Sequence, residues 1–217
     1  MIAPTELTPA RGALAELAPV LRRATSLDPR SVARIRVADS TAAAFLRLPF
    51  QVLVARAIRC HQQLDGIDVT VRAAELLSWL DEETGHPPEP HDELWRSGLP
   101  PSGGWRRLDT VPDGVVRELV RSAALALRQA ADREGLPDAQ PRAEVADAFL
   151  DSVVLTVTAE HLPPAEITLR VLSAVTRMGF LPRDSYIAID VVGRWTRVAA
   201  EYGSVFTERA GLSLNLS

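Results

Sequence analysis

Between Ser31 and Ala38 the chain alternates. Ala33, Ile35 and Val37 are apolar, and Arg34 and Arg36 lie between them. This period of two is the pattern of a strand with one face in water. Further strands are expected within Ala43–Leu48 and Gln51–Arg59, separated near Pro49. The first pair forms a hairpin across Asp39-Ser40, residue types that accept turn conformations. Ile67–Val71 reads as a short strand leading into a helix through Ala74, Leu77 and Leu80, with a stop at Gly85. Ahead of all these, Leu14, Leu17 and Leu21 follow Thr8-Pro9 at helical spacing. Pro19 inside that pattern is expected to kink or split the helix.

The clearest helix is Val111–Gly135. Val116, Leu119, Val120, Ala123, Leu127 and Ala130 recur at steps of three and four, while Arg117, Arg121 and Arg128 fall on the other face. Thr110 is a candidate N-cap, Pro112 is tolerated in the first turn, and Gly135 with Pro137 supplies a stop. The apolar stripe predicts a core helix. Before it, Thr84–Gly104 contains five prolines and is expected to be irregular apart from a turn near Asp92–Ser97.

After a short linker at 136–141, Ala143–Leu150 reads as a brief helix. Ser152–Thr158 and Ala165–Thr168 read as strands, leading into a helix through Leu172 and Val175 that stops at Gly179. Ser185–Val191 and Trp195–Ala200 predict a hairpin turning at Val192-Gly193-Arg194, with an edge strand at Val205–Thr207. The tail 210–217 is expected to be loose. The fold class is therefore α+β, mainly antiparallel strands packed against helices.

An internal echo divides the chain. Val69-Thr70-Val71-Arg72 resembles Ile167-Thr168-Leu169-Arg170, and Trp-x-Arg-apolar follows each, at Trp105–Leu108 and at Trp195–Val198. The order of these features suggests a duplication, with α+β halves at 1–110 and 111–217 around the long helix. One single domain over 8–209 is the alternative.

Composition narrows the function. The net charge is −4, and all 24 basic residues are arginine with no lysine. Without a concentrated basic surface, nucleic acid is not an expected partner. Cys60 is the one cysteine, which excludes an intramolecular disulfide and a cysteine-based metal cluster. No secretory signal is legible, and the most apolar run, Thr41–Ile58, is too broken to span a bilayer. A cytoplasmic protein is expected.

Candidate chemistry is sparse. His86, Glu89, His91, Asp92 and Glu93 are metal-ligand types, but the intervening prolines impose an extended chain that does not converge them, so no metal site is assigned. No GxSxG, Walker, GxGxxG or HExxH pattern occurs, so no catalytic residue or cofactor is assigned. The sharper lead is tryptophan beside arginine, which can hold planar or anionic groups by stacking and forked hydrogen bonds. The candidate ligand-binding residues are Arg72, Trp105, Arg107, Arg170, Trp195 and Arg197. Mutual stacking of the Trp-Arg pairs is the structural reading of the same residues. The sequence thus points to a non-catalytic interaction or regulatory module with a protein partner or self-association. A small-molecule-binding protein or enzyme with the loop 84–104 as a lid is the alternative.

Overall fold

The computed structural model describes residues 4–38, 40–49, 51–60, 66–82, 85–134 and 147–209. Five sequence expectations lie outside them: most of the 61–66 turn, the Gly135 stop, the linker 136–141, the start of the 143–150 helix, and the tail. The chain divides into two compact units, Met1–Leu99 and Pro100–Ser217. Each combines antiparallel strands with packed helices, so the fold is α+β.

The first unit opens with helical pieces. A 3-10 segment, Pro4–Ala10, leads into α1 (Arg11–Leu14), a second 3-10 turn, and α2 (Ala18–Leu27). Pro19 sits in the first turn of α2, where its missing N–H costs nothing, so the leucine repeat is divided rather than bent. Strands β1 (Val32–Ala38), β2 (Thr41–Arg47), β3 (Leu53–Arg59) and β4 (Ile67–Arg72) follow, with sheet order β4-β1-β2-β3. Ala38 pairs with Thr41 across the two-residue connection, and Ser40 takes a positive φ of 59°.

Ala33, Ile35 and Val37 are buried on one face of β1. On the other face Arg34 makes a forked pair with Asp68 of β4 at 2.6 and 3.0 Å. The Asp68 hydrogen bond raises the Arg34 pKa above its ordinary value. The unit is closed by α3 (Ala73–Asp81), which packs on α2 and buries Leu76 and Trp79. Helix α3 ends at Glu82, whose backbone is already extended, so the expected stop at Gly85 comes too late. At the outer edge of β4, Thr70 N–H donates to Asp92 Oδ1 at 2.7 Å and Thr70 C=O accepts from His91 N–H at 2.7 Å.

The second unit begins with β5 (Arg106–Pro112) and α4 (Asp113–Glu134). The expected Thr110 cap is overturned. Thr110, Val111 and Pro112 pair with Ala188, Ile187 and Tyr186, so ladder pairing extends the strand to the residue before the helix. The core-helix expectation also fails: among the described side chains of α4 only Val116 is buried, Leu119 and Val120 are half-buried, and Leu125 is 50% exposed.

A short helix, α5 (residues 147–150), precedes the hairpin β6 (Val153–Ala159) and β7 (Leu162–Thr168). Helix α6 (Leu169–Arg177) is almost wholly buried. It closes at Gly179, which has a positive φ and whose N–H bonds to Thr176 O at 3.0 Å. The meander β8 (Tyr186–Val192), β9 (Trp195–Ala200) and β10 (Gly203–Glu208) completes the sheet in the order β10-β9-β8-β5.

The echoed segments both run strand into helix, but β4 belongs to the four-stranded array of its unit while β7 belongs to the separate hairpin. Both Trp-x-Arg segments fall in the second unit, on strands that flank β8.

Candidate functional site

Ile189, Val198 and Val205 register across β8, β9 and β10 and are all buried. One residue along, on the opposite face, a different row crosses the same strands. Arg107 of β5 registers with Asp190 of β8, Asp190 with Arg197 of β9, and Arg197 with Phe206 of β10.

A bulge makes this row compatible with the core. The β5–β8 register shifts between Arg107 and Asp109. Arg107 and Val111 are four residues apart and would share a face in a regular strand. The extra residue turns them apart, so Arg107 meets Asp190 while Val111 is buried opposite Ile187.

Asp190 is the hub. It is 2% exposed, and both oxygens are occupied. Arg107 Nε donates to Oδ1 at 2.5 Å, and Arg197 binds Oδ2 through Nε at 3.0 Å and Nη2 at 2.8 Å. A buried carboxylate is tolerable only when so paired. Two cations on one anion leave the row with an excess positive charge. That charge lies outward on Arg107, whose side chain is 51% exposed and whose Nη groups bond to no described residue.

Trp105 completes the cluster. Arg197 lies over its ring at 4.5 Å, and the Phe206 ring is 5.8 Å away and tilted by 54°. The indole N–H donates to Pro101 O at 3.1 Å. Gly104 before it has a φ of +80°, a conformation that L side chains rarely adopt, so glycine turns the chain into this position without strain.

The structure therefore brings Trp105, Arg107 and Arg197 together and leaves out the other three candidates. Trp195 is buried at the start of β9, registered with Val192 and Glu208. Arg170 is the second residue of α6, a helix start that disfavours a cation. It is ion-paired at 2.8 Å with both Asp147 and Asp151, and the Asp151 hydrogen bond raises its pKa. Arg72 belongs to the first unit, immediately before α3, 3.7 Å from Glu75.

Sequence reasoning missed Asp190 and Phe206. The signal for Asp190 was a lone charge in the apolar strand Tyr186–Val192. A charge there needs a buried partner on a neighbouring strand.

Residues 100–212, more than half of the chain, match the family model described as Domain of unknown function (DUF8185). The chain belongs to that family. Residues 3–97 match a second model, Domain of unknown function (DUF8010). No curated protein matches this DUF8185 member in sequence.

Its fold is similar to that of solved bacterial sliding clamps. The DNA polymerase III subunit beta of Pseudomonas aeruginosa aligns with a TM-score of 0.56 and 9% identity, over 92% of this chain and 63% of that one. The sliding clamp of Bartonella birtlesii, bound to griselimycin, aligns with a TM-score of 0.56 and 10% identity, over 92% and 64%. Caulobacter crescentus pol III beta gives 0.51 and 12%, over 91% and 63%. The chain thus spans less than two thirds of the length of these clamps, and the likeness is one of fold. Among the described residues no helix is long and apolar enough to cross a membrane, and no group of three or more His, Cys, Asp or Glu is placed to hold a metal ion.

Proposed function

We propose that the protein is a non-catalytic, cytoplasmic interaction module, and that the surface around Trp105, Arg107 and Arg197 receives a carboxylate-bearing segment of a protein partner or of a second copy. The observation that carries this reading is the outward edge of Arg107. Its Nε is fixed by Asp190, so the guanidinium is oriented, while its side chain is half exposed and its Nη groups bond to no described residue. A forked carboxylate contact needs that preorganisation, and Trp105 adds a flat apolar surface beside it. One excess charge on a protein of net charge −4 suits a local carboxylate better than the continuous basic track that a nucleic-acid backbone requires. The clamp-like fold is in keeping with the reading in a general way, since the similar solved proteins are subunits of a DNA polymerase.

The experiment is an NMR titration of the full chain with an acetylated Ala-Glu-Phe-Glu-Ala peptide and with its Gln-substituted counterpart. The acidic peptide is expected to move the Trp105 indole and Arg107 Nε–H resonances, and Arg107→Gln to remove that response. Equal responses to both peptides, or none at Trp105, would sink the reading. Sedimentation at rising concentration separates self-association from a foreign partner.

The second reading is a small-molecule site covered by the loop 84–104. It rests on a cleft between α3 and residues 86–91. Glu75, Ser78, Glu82, His86 and Glu89 on that cleft are exposed, which suits a ligand met from solution better than an enclosed reaction chamber.

A further inference from the structure

The surface at Trp105 and Arg107 has a counterpart on the same chain. From Asp81 to Glu93 the sequence carries six acidic residues and no arginine. At the end of that stretch, Asp92–Leu94 forms a single 3-10 turn. The Glu93 side chain is 70% exposed and lies 3.4 Å from His91 Nδ1, with no arginine paired to it among the described residues. Leu94 beside it is a large apolar side chain left exposed.

The turn is anchored on both sides. Thr70 N–H donates to Asp92 Oδ1, and His91 N–H donates to Thr70 C=O, each at 2.7 Å. The Leu94 and Trp95 N–H groups close the turn on the His91 and Asp92 carbonyls at 3.0 and 3.1 Å. A segment fixed in this way loses little conformational freedom on binding. It offers a carboxylate and an apolar side chain together, the two groups that Arg107 and Trp105 are placed to receive.

We propose that the occupant of the Trp105 surface is the Asp92–Leu94 turn of a second copy of this chain, which rests on the carboxylate reading of that surface. Glu93 takes the Arg107 Nη groups in a forked contact, and Leu94 lies on the Trp105 ring. Charge complementarity favours a second copy as the partner. Copies of net charge −4 repel unless an acidic segment meets a local cation, here the excess charge of the Arg107-Asp190-Arg197 row. The contact is heterologous, because turn and surface are different patches and each copy carries both. It is made by side chains and leaves the backbone bonds at Thr70 undisturbed.

The test is sedimentation velocity of the full chain at rising concentration, with the Trp105 indole resonance followed over the same range. The wild type is expected to associate, and to do so less with added salt. Glu93→Arg, at an exposed position, is expected to weaken association roughly tenfold. Glu93→Gln and Arg107→Gln are each expected to weaken it roughly threefold, the scale of one exposed ion pair. Mixing Glu93→Arg with Arg107→Gln leaves one intact contact, between Arg107 of the first and Glu93 of the second. That mixture is expected to form a heterodimer at wild-type strength. Association that survives Glu93→Arg, or a mixture no tighter than either variant alone, would overturn the proposal. So would a chain that stays monomeric while the acidic peptide still moves the Trp105 resonance, a result that leaves the carboxylate reading standing. Loss of both signals removes both.

Discussion

Asp190 and Arg197 face each other across β8 and β9, with Oδ2 2.8 Å from Nη2 and the carboxylate 2% exposed. Their pairing sets an order of sensitivity. Asp190→Asn keeps the volume but leaves two guanidiniums without a counter-charge, and should cost roughly 2–3 kcal/mol. Arg107→Gln, at a side chain 51% exposed, should cost under about 1 kcal/mol. Urea denaturation gives both values, and equal costs would mean that Asp190 is not the hub.

Gly203 stands against Phe180. A Cβ there would lie 2.6 Å from Phe180 Cε1, so the ring, only 1% exposed, would have to shift. Gly203→Ala is expected to destabilise by about 1–3 kcal/mol. Combined with Phe180→Leu, it should cost less than the sum of the two single changes. Simple additivity in thermal or urea unfolding would contradict the contact.

Helix α4 offers a graded test of burial. Val116 is fully buried and Leu119 is not. Val116→Ala should cost about 1–2 kcal/mol and Leu119→Ala about 1 kcal/mol or less, although leucine loses more atoms. The reverse order would restore the core stripe that the sequence suggests.

Arg34 and Asp68 give a pH prediction. Hydrogen bonding to Asp68 raises the arginine pKa. A raised cation contributes its full stability below its unfolded pKa and loses it only as pH climbs through the folded value. Arg34→Met should therefore cost about 1 kcal/mol, and the same amount from neutral pH to about pH 9. A cost that fades across that window would point to a different titrating group.

Local patterns were legible where one residue's environment decides its conformation. Alternation at Ala33, Ile35 and Val37 located β1 and its buried face, and Gly179 marked the end of α6. The α4 boundary was not legible, because Val111 and Pro112 follow their partners on β8 rather than the helical stripe they introduce. The Arg107-Asp190-Arg197-Phe206 row needed two further facts, strand register and the bulge after Arg107. Neither is written in periodicity, since a bulge reverses the faces without changing composition. Trp105 and Arg197 were visible as residue types, but their meeting across β8 was not.

The contacts at Thr70 bear on how the folded chain behaves at high concentration. The exposed backbone of an outer strand is a template onto which another molecule can add, and repeated addition leads to fibres. Asp92 and His91 occupy the donor and acceptor of Thr70 with one side chain and one backbone N–H. They act as a chain stopper in the polymer sense, blocking growth at the middle of β4 without committing a further strand to the task.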